Sequence, residues 1–149
     1  FAAEETGLLG SFHLSEKLKK ENFNLYSMLN FEMIGVPMKA NYTAYITGFS
    51  KSNMASKINE YSGKNLVGYL PMEFQYQLFS RSDNFPFFKE FNVPSQTVCT
   101  FDFTNFDYYH HVKDEFEVMD VPHMTRFIQD VLPVVEKMAN AQTKEIKLK

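Results

Sequence analysis

Glu4 and Glu5 stand side by side in the opening run Phe1-Ala2-Ala3-Glu4-Glu5-Thr6-Gly7-Leu8-Leu9-Gly10-Ser11. Phe1 to Ala3 read as the last residues of a buried strand, and Thr6 to Ser11 as the turn into a helix. Adjacent acids at such a junction are either an exposed edge or the floor of an active site. Glu32 sits inside the apolar run Met28–Gly35, and Tyr109-His110-His111 follows the last strand-like segment. Ligands of open α/β sheets bind beyond the carboxyl ends of strands. Carboxylates with imidazole form the donor set taken by zinc and by harder divalent cations. Each residue also has an ordinary reading, a solvated acid or a loop histidine, and spacing alone leaves both open.

The elements that must position these groups follow from pattern. Leu8 to about Lys20 has a loose helical spacing of apolar residues, and Met28–Gly35 reads as a strand buried on both faces. Ala44–Phe49, rich in aromatic and β-branched residues, is another strand. Ser52 to about Tyr61 reads as a helix with Gly63 just past its end. Ser82 and Asp83 offer caps for a short helix through Phe91, and Asn92-Val93-Pro94 breaks it before the strand Ser95–Phe101. Thr104–Asp114 reads as a loop. Asp120-Val121-Pro122 starts a last helix that runs to about Asn140, with Phe127, Ile128, Val131, Leu132, Val135 and Met138 on one face and Pro133 as an expected kink. Residues 141–149 read as a charged, frayed tail. Strands separated by helices predict one α/β domain over 1–149 with a largely parallel sheet.

Composition removes several classes. With 149 residues, 44% hydrophobic and 22% charged, the chain suits a single folded domain with a sizeable core. A net charge of −3 argues against nucleic-acid binding, and the short basic run Lys17-Leu18-Lys19-Lys20 reads as a solvated helix face. Cys99 is the single cysteine, which excludes an internal disulfide framework and a thiolate metal cluster. No apolar stretch has the length of a membrane span. No Gly-x-Ser-x-Gly elbow supports a serine hydrolase.

Four ordered segments together resemble the co-catalytic zinc aminopeptidases, the group that also holds glutamate carboxypeptidase II and the transferrin receptor. They are Glu4–Ser11, Asn30-Phe31-Glu32-Met33-Ile34-Gly35, Arg81-Ser82-Asp83-Asn84-Phe85-Pro86-Phe87, and Tyr109-His110 with Asp114 following. The resemblance implies a three-layer α/β/α sandwich and a zinc-dependent exopeptidase, most simply an aminopeptidase acting on peptides through a water activated by two zinc ions. It implies Glu4 as general base, Glu5 and His110 on one zinc, Glu32 on the second, and Tyr109 as a donor to the oxyanion. The spacing to Asp114 favours His110 over His111. Ser82 and Asp83 are expected to shape the substrate pocket. Phe87, with Phe85 and Phe88, either lines an apolar subsite or belongs to the core. His13 and His123 are expected to be surface or packing residues.

The resemblance departs from its pattern in two places. The family's usual residue at position 32 is Asp, and Glu carries its carboxylate about an ångström further. A His and a bridging Asp expected upstream of Glu4 are not in this sequence. The domain is therefore expected to be N-terminally incomplete, inactive alone, and completed by an upstream part. Export from the cell is expected from bacterial relatives. The rival readings are a non-catalytic receptor or interaction domain of the same fold and a single-zinc enzyme like the glutaminyl cyclases.

Overall fold

A computed structural model describes all residues 1–149. The order of elements is α1 (Leu9–Lys20), β1 (Met28–Glu32), β2 (Ala44–Ile46), α2 (Met54–Ser62), β3 (Val67–Gly68), α3 (Met72–Tyr76), α4 (Asn84–Phe91), β4 (Ser95–Cys99) and α5 (Val121–Ala139), with 3-10 turns at Leu78–Ser80 and Phe116–Val118. The strands form one open four-stranded sheet in the order β1-β4-β2-β3.

The sheet is mixed. β1 pairs parallel to β4 and β2 parallel to β3, but β2 and β4 run antiparallel. The helix-free connection 33–43 explains the departure. A parallel return needs a long crossover, normally a helix, and this segment simply turns the chain back. β1 is an edge strand, half-buried along its length rather than enclosed on both faces. β3 and α3 lie in a stretch to which the sequence pattern assigns no element.

Strand alternation divides the core. Ala44, Ile46 and Val98 point into a cluster with Met54 and Ile58 of α2 and Phe127, Val131 and Val134 of α5. Tyr45 and Cys99 point the other way, toward Leu70, Leu78 and Phe101. Burial pushes the Cys99 thiol up to about 12, so it packs as a small apolar group.

Several local expectations change. Phe1–Ala3 form turns, not a strand. The Ala2 and Ala3 carbonyls instead accept from the Gly10 and Leu9 N–H groups (3.0 and 3.2 Å), serving the start of α1. The buried stripe of α5 is His123, Phe127, Val131 and Val134, whereas Ile128 and Leu132 are exposed. Asp120 caps this helix by accepting the His123 N–H at 2.8 Å, and α5 continues through Pro133.

The C-terminal residues are docked, not frayed. Ile146 is 2% exposed, the Asn53 N–H donates to the Lys147 carbonyl at 3.0 Å, and the Lys149 N–H donates to Lys51 at 3.0 Å. No helix is long and apolar enough to cross a membrane.

Burial of Ile146 makes it a structural anchor. Ile146→Ala should lower stability by about 2–5 kcal/mol in urea denaturation of the full-length protein, whereas a frayed end would leave the midpoint unchanged.

Candidate active site

The cleft opens at the carboxyl end of β1, where the turn before α1 meets the loop after β4. It has a volume of about 680 Å³ and gathers Glu4, Glu5, Glu32, Arg81, Asp83, Tyr109, His110 and Asp114, with Phe1, Leu8, Met33, Leu78 and Phe103 on its apolar side. Residues from Phe1 to Asp114 thus share one cleft.

The paired acids are held by their own turn. The Glu4 carbonyl accepts from the Gly7 and Leu8 N–H groups at 3.0 and 2.9 Å. Glu4 is half-buried and Glu5 exposed. Glu5 Oε1 lies 3.2 Å from His110 Nε2, so two donors of different chemistry already face each other across the cleft. His111 points elsewhere: its Nδ1 accepts the Lys113 N–H at 3.1 Å, and its ring lies against Tyr108. The structure therefore places His110, and not His111, beside Glu5.

Glu32 ends β1. Its Oε2 accepts from Ser82 Oγ at 2.6 Å and from Asn30 Nδ2 at 2.8 Å. Burial raises its pKa above the usual carboxylate range, and the Asp83 and Glu5 charges add to the rise, while the two donors act against it. Glu4 is raised for the same reason, first by burial and then by Glu5, Glu32 and Asp83, with His110 opposing. Tyr109 stacks on Phe101 with centroids 4.9 Å apart. Burial and the Glu5 charge raise its phenol too, which keeps its proton available for donation.

Two expected pocket residues lie behind the cleft. Ser82 caps no helix; it is buried beneath Glu32 and bonded to it. Phe87 is 4% exposed and packs against Phe1 as core. Asp83 does reach the cleft, but as a buried carboxylate whose Oδ1 has no hydrogen-bond partner. Sequence reasoning missed Asn30 as a partner of Glu32. The signal was available, because residues two apart on a strand share a face.

The donor chemistry fits a divalent cation such as zinc. Carboxylates and one imidazole line the same cleft, Glu5 and His110 come within 3.2 Å, and a buried carboxylate oxygen is left unpaired. The set is incomplete as a cage, since no three His, Cys, Asp or Glu side chains meet at one point.

The sequence pattern of peptidase family M28 matches residues 1–135. The chain belongs to that family. All four motifs around Glu4, Glu32, Ser82 and His110 fall inside the M28 match. The fold is similar to that of two crystal structures of Legionella pneumophila LapA, one of them described as an aminopeptidase. One has a TM-score of 0.68 at 23% identity over 93% of this chain and 39% of LapA. The other has 0.71 at 23% identity over 96% of this chain and 38% of LapA. The M28 segment thus spans about two fifths of the solved structures that it matches. No curated protein matches it in sequence.

A raised carboxylate costs stability while charged. Glu32 binds its proton more readily folded than unfolded, so its charged form opposes folding at neutral pH and the opposition fades as pH falls through its raised pKa. Glu32→Gln keeps an acceptor for Ser82 and Asn30. In chelator-treated protein it should raise the urea midpoint at pH 7.5, with the advantage shrinking toward pH 4; an equal midpoint at both pH values would contradict this.

Proposed function

We propose that residues 1–149 form part of the catalytic domain of a zinc-dependent aminopeptidase with a three-layer α/β/α architecture. The observation that carries this reading is the approach of His110 Nε2 to Glu5 Oε1 within 3.2 Å, with Glu4 in the same cleft. Membership of a peptidase family and similarity to a fold that includes an aminopeptidase support it.

Glu5 and His110 would hold one zinc and Glu32 a second, the remaining ligands coming from outside residues 1–149. When bound, zinc supplies Lewis acidity toward the peptide carbonyl and lowers the pKa of water. Glu4 takes a proton from the attacking water and returns it to the leaving amine. Its raised pKa suits that task, since a general base works best when its pKa approaches the operating pH. Adjacent Glu4 and Glu5 can serve different roles because neighbouring side chains leave a non-helical backbone in different directions. Tyr109, held by its aromatic stack, donates its phenolic proton to the carbonyl oxygen as negative charge develops there. The apolar wall of Leu8, Met33 and Phe103 receives the first side chain of the peptide.

Elemental mass spectrometry of the full-length protein should find close to two zinc ions per chain. None would refute the reading. Glu4→Gln should retain that zinc and lower kcat on an aminoacyl p-nitroanilide by about 10²- to 10⁴-fold. Unchanged turnover would remove Glu4 from the role of base.

A further inference from the structure

Beneath the cleft, a chain of polar side chains runs from α4 across β4 to the end of β1. Asn84, Thr97 and Ser82 are all buried, at 0%, 0% and 2% exposure. The hydrogen-bond directions from Asn84 to Asn30 follow from one end, and the 3.1 Å contact between Ser82 Oγ and Thr97 Oγ1 is left without a proton because both hydroxyls donate elsewhere. Asn84 Nδ2 lies 3.1 Å from the Phe79 carbonyl and 3.2 Å from the Ser95 carbonyl. Both are acceptors only, so the Asn84 amide can stand only one way round and its Oδ1 must accept. Thr97 Oγ1 meets that oxygen at 2.9 Å and therefore spends its single proton there.

With its proton spent, Thr97 can only accept from the side of β1. Asn30 Nδ2 faces it at 3.3 Å and also reaches Ser82 Oγ at 3.1 Å and Glu32 Oε2 at 2.8 Å. Ser82 has one proton as well, and the 2.6 Å contact to Glu32 Oε2 takes it. Strand register makes this possible. Asn30 sits directly opposite Thr97 in the parallel β1–β4 pair, and Glu32 is the next residue on the same face. Donation thus runs toward the backbone-anchored end, from Asn30 to Thr97 to Asn84 to the two carbonyls, while Asn30 and Ser82 also donate to Glu32 Oε2. Glu32 Oε1 has no hydrogen bond.

We infer that Asn84 and Thr97 are positioning residues that act through Asn30, which together with Ser82 clamps Oε2 of Glu32 and presents Oε1 alone to the cleft. The clamp answers the geometric problem of a glutamate here. A longer side chain has one more rotatable bond to order, and two donors on one oxygen remove that freedom. Outer-shell partners of metal ligands commonly set their orientation. The inference rests on the reading of Glu32 as a zinc ligand.

Its test is zinc affinity of the full-length protein by competition with a chromophoric chelator, alongside thermal unfolding of the metal-free form. Thr97→Val keeps the shape and removes the relay, and Thr97→Ser restores the hydroxyl. Thr97→Val should weaken zinc binding by about 10- to 100-fold, Thr97→Ser should bind like the parent, and Thr97→Val should add no further loss in a Glu32→Gln background. Equal loss in both backgrounds, or a lower unfolding temperature with unchanged zinc affinity, would overturn the inference. Ser82→Ala, which removes one of the two donors directly, gives the same comparison should Thr97→Val fail to fold. If Glu32→Gln alone leaves zinc affinity intact, the ligand reading fails and takes the clamp with it. Loss on Glu32→Gln but none on Thr97→Val or Ser82→Ala defeats the clamp only.

Discussion

The gathering of four carboxylates, Glu4, Glu5, Glu32 and Asp83, in one half-enclosed cleft is the constraint around which the rest of the structure is arranged. Burial raises the pKa of Glu4 and of Glu32, the neighbouring acid charges add to the rise, and the charged forms of both oppose folding. A chain tolerates such a cluster only where donors or a cation offset it. Ser82 and Asn30 offset part of the charge on Glu32, and His110 faces Glu5 and acts against the rise at Glu4. The buried Oδ1 of Asp83 has no such partner. The cleft is thus electrostatically unfinished in the direction of positive charge.

Holding these acids together requires elements with little freedom of their own. β4 supplies it from the sheet interior, with every residue buried and strands on both sides. Its pairing with β1 sets Asn30 against Thr97 and Glu32 against Cys99. A slip of one residue would turn Leu29 and Phe31 toward the cleft and bury Glu32 among the side chains of α5. Those two apolar residues pack against the α2–α5 cluster, so the hydrophobic core itself guards the placement of the carboxylate. On the other side, α4 contributes Asn84 to the polar layer and Phe87 to packing.

Much of this was legible in the sequence because the signals were local. The strand around Glu32, the helix begun by Asp120 and the polar loop through His110 all carry short-range patterns, and motif order gathered the cleft residues. What failed depended on tertiary partners. Phe1–Ala3 look strand-like by composition, yet their carbonyls are taken by the start of α1. A helical apolar pattern could not tell the buried Val134 from the exposed Leu132, because both lie near the edge of the same broad stripe. The antiparallel β2–β4 pair followed from a missing helix in 33–43, not from the strands themselves. Ser82 was legible as important but not as a partner of Glu32, since that bond spans residues far apart in the chain.

Left-handed backbone is concentrated at the cleft. Leu8, Met33, Phe103 and His110 all line it, with φ of 60°, 46°, 68° and 55°. Each costs roughly 1–2 kcal/mol relative to ordinary backbone, a penalty that glycine would escape. Glycine would also remove the imidazole and the apolar wall. Durability and chemistry are therefore set against each other residue by residue along this rim. Substitutions that make the molecule hardier are to be sought away from it, while those that relax the rim would yield a tougher protein with a blunted site.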